Sequence, residues 1–212
     1  MVLGSRDVPQ RSEMRRPTRV GLIGDVHGEA ANLSKAVRIL RGRELVDCIV
    51  CVGDIVDGGT SVDDCCDILL ANDVLAVRGN HDRWILSGQM RSVRGATSLD
   101  SLRPRSRRFL ASLPALRVVD VANGRVVVAH GVAYDDMRGL PRFPDDRLVR
   151  VFRQADVIRP GYIAMVSGHS HRRFSTRIAG ISLIGLATLH SSKATYCGVF
   201  DAADQTVEFH RL

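Results

Sequence analysis

Short apolar runs alternate with helical apolar patterns over the first eighty residues. Buried strands are predicted at residues 19–23, 46–52 and 74–77. Between them, apolar side chains recur at helical spacing, first at Leu33, Ala36, Val37 and Leu40 and then along residues 62–70. This alternation of strands and helices favours right-handed crossovers and parallel strands at the centre of a sheet.

The second half of the chain is richer in strand patterns. Residues 116–121 and 125–129 flank an Asn123-Gly124 turn, which predicts a hairpin. One helix is predicted around Leu148, Val149, Phe152 and Ala155, and further strands at 163–166, 181–186, 195–200 and 206–209. We expect mostly antiparallel pairing here. An α/β fold with two sheets packed face to face, each covered outside by helices, accommodates both halves.

The composition places the chain among ordinary globular proteins. Residues 1–18 are polar, arginine-rich and without periodicity, so we expect a flexible N-terminal leader followed by a single domain over 19–212. Hydrophobic residues make up 45% of the chain and charged residues 25%, which excludes disordered, collagen-like and disulfide-scaffold proteins. No apolar run approaches the roughly 18 residues of a membrane-spanning helix, so no membrane partner is expected.

The cysteines indicate the cellular compartment, and the net charge indicates the kind of partner. Five cysteines and an N-terminus without a secretory signal favour the cytoplasm. Cys48 and Cys51 lie three apart in a predicted strand and therefore point to opposite faces, which favours inert buried thiols over a metal or redox pair. The net charge of +7 favours anionic partners. A phosphorylated substrate fits it, and nucleic acid is compatible but not indicated because aromatic residues are scarce.

Polar side chains capable of chemistry follow the predicted strands at the point where each strand ends. The carboxyl ends of parallel strands gather ligand sites at one edge of a sheet, so separate segments are expected to converge there. Five of the seven histidines belong to this set, and His190 and His210 lie outside it. The residues are Asp25 and His27, Asp54 and Asp57, Asn80, His81 and Asp82, His130, and His169 and His171.

The residue types in this set indicate metal ions. Glycines flank every cluster and permit the tight backbone that turns carboxylates and imidazoles inward around a small object. Carboxylates, an amide oxygen and several imidazoles are more ligands than one tetrahedral zinc ion needs. They suit two five- or six-coordinate divalent ions that share a bridging carboxylate.

Five blocks, in this order, resemble the motif set of the calcineurin-like metallophosphoesterases: Gly24-Asp-Val-His-Gly28, Gly53-Asp-Ile-Val-Asp-Gly-Gly59, Gly79-Asn-His-Asp82, His130-Gly131 and Gly168-His-Ser-His171. The resemblance implies a four-layer αββα sandwich, with two mixed β-sheets flanked by helices, and a dinuclear metal centre. It implies that Asp25, His27 and His171 hold one ion, that Asn80, His130 and His169 hold the other, and that Asp54 bridges them. Mn²⁺ is the ion expected first, with Fe, Zn, Co or Ni as alternatives.

The same resemblance implies catalytic roles. A metal-bridging hydroxide would attack phosphorus in line, and His81 would protonate the leaving oxygen. Asp57 matches the position that orients this histidine in the protein-phosphatase branch, although it could instead cap the helix beginning near Ser61. Asp82 is expected to brace its loop. Asn80, Arg172 and Arg173 are candidates for substrate binding, with a solvated surface as the alternative for the arginine pair.

Two departures from the family pattern bear on the substrate. Gly58 stands where the phosphatase branches carry an arginine, and Leu186-Ala-Thr-Leu-His190 replaces the Asn-Pro-Gly-Ser block of small bacterial phosphodiesterases. Arg78, Arg172 or an arginine between 138 and 153 could replace the missing phosphate clamp. The function expected is therefore metal-dependent hydrolysis of phosphomonoesters on small molecules or phosphoproteins. The alternatives are a phosphodiesterase acting on nucleotides or nucleic-acid ends and a non-catalytic metal-binding scaffold.

Overall fold

A computed structural model describes residues 15–155 and 159–212. The predicted leader falls mostly on residues 1–14, which lie outside the described residues. Pro17 and Thr18 are tied to the domain, since the Pro17 carbonyl accepts from the Ala122 amide at 2.8 Å and the Thr18 amide donates to Asp47 at 2.7 Å. No helix in the described ranges is long and apolar enough to cross a membrane.

The first sheet contains five strands in the order β10-β9-β1-β2-β3. Its central pairs β1–β2 and β2–β3 are parallel, as predicted, whereas β9 joins β1 and β10 joins β9 in antiparallel fashion. The two C-terminal strands therefore return to the sheet begun by the N-terminal half. The strands are β1 Arg19–Ile23, β2 Cys48–Cys51, β3 Leu75–Ala76, β9 Tyr196–Asp201 and β10 Thr206–Arg211.

Across the second half of the chain the pairing is mostly antiparallel, as expected. The second sheet, in the order β4-β5-β6-β8-β7, nevertheless has parallel strands at its centre. The central pairs β5–β6 and β6–β8 are parallel, and only the edge pairs β4–β5 and β7–β8 are antiparallel. The parallel direction of β6 arises because the segment between β5 and β6 leads the chain back to the start of the sheet before β6 begins. The strands are β4 Leu116–Val121, β5 Gly124–Ala129, β6 Tyr162–Ser167, β7 Phe174–Ile178 and β8 Ile181–Gly185.

Helices cover the outer faces of both sheets and complete the predicted four layers. Leu22 of β1 faces the second sheet, whereas the adjacent Ile23 packs against the helices on the other side. On the second sheet, Leu148 and Phe152 are buried against strand residues such as Met165 and Leu183. The helices are α1 Ala30–Arg38, continued by a π-helical turn over Ile39–Arg43, α2 Val62–Ala71, α3 Asn80–Ser87, α4 Pro104–Ser112 and α5 Asp146–Gln154, with a 3₁₀ turn at Leu99–Ser101.

Candidate active site

The residues that follow β1, β2, β3, β5 and β6 converge at one edge of the sandwich. All seven side chains predicted to bind metal are near one another there. Asp25, His27, Asp54, Asn80 and His130 are buried, and His169 and His171 are partly exposed. Their ligand atoms form two overlapping groups in which every atom lies within 4.8 Å of the others: His27, Asp54 and His171, and Asp25, Asp54 and His130.

Asp54 is the carboxylate common to both groups. Its Oδ2 lies 3.9 Å from His27 Nε2 and 3.3 Å from His130 Nε2. Its Oδ1 points the other way and accepts a hydrogen bond from the His81 amide at 2.9 Å. One carboxylate oxygen is thus shared between two imidazole nitrogens, while the other is held by backbone at the start of α3.

Backbone carbonyls fix which nitrogen of two histidines faces the site. His27 Nδ1 donates to the Asp57 carbonyl at 3.1 Å, and His130 Nδ1 donates to the Val52 carbonyl at 2.8 Å. A carbonyl only accepts, so Nδ1 carries the proton in both rings and Nε2 faces the centre. This is how metal-ligating histidines are normally oriented.

The Asn80 side chain contacts two imidazoles of the site, those of His130 and His169. Its Oδ1 lies 2.8 Å from His130 Nε2 and 3.0 Å from His169 Nδ1. Burial lowers the pKa of His130, but the Asp54 and Asp25 carboxylates outweigh it and raise that pKa to about 10. The two buried carboxylates therefore favour positive charge at this point of the site.

Asp25 supplies the test of whether this donor set fits a metal ion. The residue is fully buried, and its Oδ1 accepts from the His169 amide at 3.1 Å. Its Oδ2 is buried without a hydrogen bond and lies 3.4 Å from His171 Nε2. Burial, together with the Asp54 charge, raises the pKa of Asp25 to about 7. An unpaired buried carboxylate oxygen is costly, and a divalent cation is the partner that would satisfy it. The residues fit the metal ions that the sequence predicts.

The backbone around the site is strained where it carries these side chains. Of the eleven non-glycine residues with positive φ in the described chain, five belong to the site, with φ between 48° and 64°. Such conformations cost of order 1–3 kcal/mol each and persist where the surroundings over-determine them. The five residues are His27, Asp54, Asp57, His169 and His171.

Two glycines make room for carboxylates. A Cβ on Gly79 would lie 2.1 Å from Asp54 Oδ1, and a Cβ on Gly168 would lie 2.3 Å from Asp25 Oδ1. Neither glycine has positive φ. These two are therefore required for space, and not for the unusual backbone that the sequence analysis assigned to them.

His81 and Asp57 form a hydrogen-bonded pair beside the metal ligands. His81 Nδ1 lies 2.8 Å from Asp57 Oδ2, and the His81 ring packs on Trp84 at 4.7 Å between centroids. Partial burial lowers the pKa of His81, but the bond to Asp57 and the charges of Asp57 and Asp54 outweigh it and raise that pKa. The contact with Asp57 thereby favours the protonated form of His81, which can donate a proton.

The alternative role of Asp57 as a helix cap is wrong. Ser61 occupies the N-cap position of α2, and the Asp57 carboxylate lies instead against His81, Arg91 and Thr97. Asp82 braces its loop as expected. Its Oδ1 accepts from the Ile55 amide at 2.8 Å and its Oδ2 from the Gly79 amide at 2.9 Å.

A cavity of about 310 Å³ opens onto the site and is lined by residues from several loops. It includes His190, which is not among the residues predicted to act at the site, with its ring 6.2 Å from that of His27. The signal was available, because His190 follows β8 as the other histidines follow their strands. The lining residues are His27, Asp57, Gly58, His81, Arg94, His171, His190, Ser192 and Lys193.

The cations of this cavity are not the ones the sequence suggested. Arg94 and Lys193 line it, and Lys193 Nζ lies 3.3 Å from His171 Nδ1. Arg172 and Arg173 are exposed, and the Arg173 guanidinium stacks over Tyr196 at 4.0 Å. Neither is among the described residues that line the cavity, and their role in substrate binding stays a prediction.

Comparison with known proteins adds three similarities. A family model described as the calcineurin-like phosphoesterase superfamily domain matches residues 18–204. A serine/threonine-protein phosphatase 1 of Salmonella typhimurium is 34% identical over 86 residues, which cover 41% of this chain and only 40% of that phosphatase. An uncharacterized protein of Methanocaldococcus jannaschii is 24% identical over 220 residues, which cover 91% of this chain and 86% of that one.

The fold also occurs in solved structures. A metallophosphoesterase from Sphaerobacter thermophilus superposes with a TM-score of 0.69 at 21% identity, covering 92% of this chain and 88% of that one. At this identity the similarity bears on the fold, and it agrees with the two mixed sheets flanked by helices described above.

Proposed function

The chain belongs to the calcineurin-like phosphoesterase superfamily and is a metal-dependent phosphoric ester hydrolase, and from this premise we propose that it hydrolyses phosphomonoesters at a dinuclear metal centre. The observation that carries the proposal is the His81–Asp57 pair at the cavity that opens onto the ligand cluster. An alkoxide leaves poorly unless it is protonated, and a positioned histidine supplies that proton. Alkyl monoesters, including phosphoserine and phosphothreonine, are the substrates for which such a pair matters most.

The metal ligands divide between two ions. Asp25, His27 and His171 would hold one, Asn80, His130 and His169 the other, and Asp54 both. Bound divalent ions supply positive charge to the phosphoryl oxygens and lower the pKa of water. Mn²⁺ is the ion we propose, since carboxylate, amide and imidazole ligands suit it, as they suit Fe, Zn, Co and Ni.

The cations of the cavity favour monoesters over diesters. A monoester carries up to two negative charges on its phosphoryl group near neutral pH, and a diester carries one. Arg94 and Lys193 line the cavity, and their positive charges would add to the charge of two bound metal ions. Gly58 leaves the position next to Asp57 without a side chain. We propose that Arg94 and Lys193 replace the arginine that the phosphatase branches carry at that position.

Replacing Arg94 and Lys193 together by alanine should raise KM for an aryl phosphomonoester by about 10-fold at low ionic strength, with a smaller change in kcat, because both residues attract charge in ground and transition states alike. The matched comparison is Arg172→Ala with Arg173→Ala, which removes the same two charges from outside the cavity. A larger KM effect from that second pair would return the substrate-binding role to Arg172 and Arg173.

The proposed function is tested by assaying the purified protein with added manganese on aryl phosphomonoester and aryl phosphodiester substrates side by side. We expect the higher kcat/KM on the monoester and loss of activity with a chelator. Faster diester hydrolysis would indicate the phosphodiesterase alternative. Two bound ions without activity on either ester would indicate a scaffold, although every predicted ligand and His81 are present in this chain.

The partner we propose is a phosphorylated substrate, either a small molecule or a phosphoprotein. The similarity to a serine/threonine-protein phosphatase supports the second. All five cysteines are free thiols, which supports the proposal of a reducing, cytoplasmic setting.

A further inference from the structure

Arg91 reaches Asp57 from the loop that follows α3. Its Nη1 and Nη2 lie 3.2 Å and 3.1 Å from Asp57 Oδ1 and Oδ2, a bidentate arrangement. The guanidinium is itself held by backbone, because Nε donates to the Gln89 carbonyl at 2.7 Å and Nη1 to the Thr97 carbonyl at 3.1 Å. Arg91 is thus fixed in one orientation against the carboxylate.

The same loop contacts Asp57 a second time. The Thr97 amide donates to Asp57 Oδ1 at 2.7 Å, and the Asp57 amide donates to Thr97 Oγ1 at 3.1 Å. Asp57 Oδ2 is left to be shared between Arg91 and His81. The direction of the carboxylate, and with it the rotation of the His81 ring, is therefore set by Arg91 together with the Thr97 amide.

Arg91 is separate from the space in which a substrate would lie. It lines a neighbouring cavity of about 380 Å³ together with Ile85, Leu99 and Thr97, and it does not line the cavity formed by His81 and the proposed ligands His27 and His171. Its charge is also already paired with a buried carboxylate. These observations favour an indirect role over direct binding of the phosphoryl group.

We propose that Arg91 is a positioning residue for the reaction, which fixes the Asp57 carboxylate and through it aims His81 at the leaving oxygen. This inference rests on the proposed function. Its consequence is specific: loss of Arg91 should affect the step that needs a proton and spare substrate binding. A misplacement of about 1 Å at a reacting group can cost about 10²-fold in rate.

The test compares Arg91→Ala, Arg91→Lys and Arg103→Ala on an alkyl phosphate and on 4-nitrophenyl phosphate. Arg103 is the matched control, because it comes from the same stretch of chain and pairs with Asp63 and Asp67 on α2 but does not reach Asp57. For Arg91→Ala we expect kcat on the alkyl ester to fall by about 10- to 10²-fold, with a distinctly smaller loss on the nitrophenyl ester and KM within about 2-fold. Arg91→Lys should recover part of the loss, and Arg103→Ala should show no dependence on the leaving group.

A second measurement does not depend on activity. In zinc-loaded protein with ¹⁵N-labelled histidine, the Nδ1 proton that His81 shares with Asp57 is assigned by its loss in His81→Ala. Its exchange with water should become at least about 10-fold faster in Arg91→Ala and stay unchanged in Arg103→Ala, because an unfixed carboxylate holds the proton less well.

The outcomes separate this inference from the proposed function. Inactivity of the wild-type protein on both esters would refute the proposed function, and the exchange measurement would then decide alone whether Arg91 fixes His81. Equal losses on both esters, a KM effect larger than the kcat effect, or an unchanged exchange rate in Arg91→Ala would overturn the positioning role. Combined with His81→Ala, Arg91→Ala should cause no further loss that depends on the leaving group.

Discussion

Replacing Asp54 by asparagine is expected to lower kcat/KM for an aryl phosphomonoester by about 10³-fold and to weaken metal binding at both sites. The amide keeps the oxygen that accepts from the His81 amide, but its nitrogen replaces Oδ2, the atom near both His27 and His130. An amide nitrogen does not ligate a divalent ion. Metal ions contribute several kcal/mol of charge stabilisation in phosphoryl transfer, which corresponds to a loss of this size.

Metal analysis and kinetics on the same preparations check this prediction. Asp82→Asn is the matched control, since Asp82 is also a fully buried aspartate at this edge but has its oxygens occupied by backbone amides. It should lose about 1–3 kcal/mol in free energy of unfolding and retain both ions. His27→Ala should affect mainly one ion. Two tightly bound ions in Asp54→Asn would mean that Asp54 does not bridge them.

The sequence predicted strands and helices correctly where buried apolar residues recur at a regular spacing. The parallel half of the first sheet came directly from apolar strands alternating with helices. Helix α3 was not predicted because two of its buried positions are Asn80 and Asp82, so the apolar repeat is missing there. Helix α4 was missed for a similar reason, since its buried positions are Ser106 and Leu110 amid arginines. In both helices polar residues occupy buried positions, so the hydrophobic periodicity is lost.

The pairing of the strands was harder to predict from the sequence than their positions along the chain. The Asn123-Gly124 turn fixed one antiparallel pair, but nothing local indicates that β6 runs parallel to β5 and β8. That direction depends on the path of the segment between His130 and β6. Sequence patterns report which residues are buried, whereas the partner of a strand is set by packing far along the chain.

The functional site shows the same contrast between residues with a local sequence signal and residues placed by distant packing. The segments that carry the candidate ligands were found because each one follows a strand, and strand ends meet at one edge. The resemblance to the family then distinguished the seven ligands from the other polar residues of these segments. Arg91, Arg94 and Lys193 belong to loops without such a signal, and Arg91 lies 34 residues from Asp57 in sequence. An arginine-rich chain offers many candidate cations, so composition alone could not select these three.

His81→Ala should give the second large effect, a loss of about 10²- to 10⁴-fold in kcat on an alkyl phosphate. The reason is that the departing alkoxide needs a proton, and His81 is held by Asp57 Oδ2 at 2.8 Å beside the cavity. A nitrophenolate leaves well without a proton, so the loss on 4-nitrophenyl phosphate should be distinctly smaller. Both metal ions should be retained, since His81 is not among the proposed ligands.

The comparison that makes this result decisive is His190→Ala. His190 lines the same cavity and bonds Ser192 Oγ at 2.7 Å, with no part in the Asp57 pair. Any effect of that substitution should be alike on the two esters, because a residue that shapes the cavity acts on binding and not on the leaving oxygen. Equal losses on both esters for His81→Ala, with metal content intact, would mean that His81 binds the phosphoryl group, and the general-acid role would be abandoned.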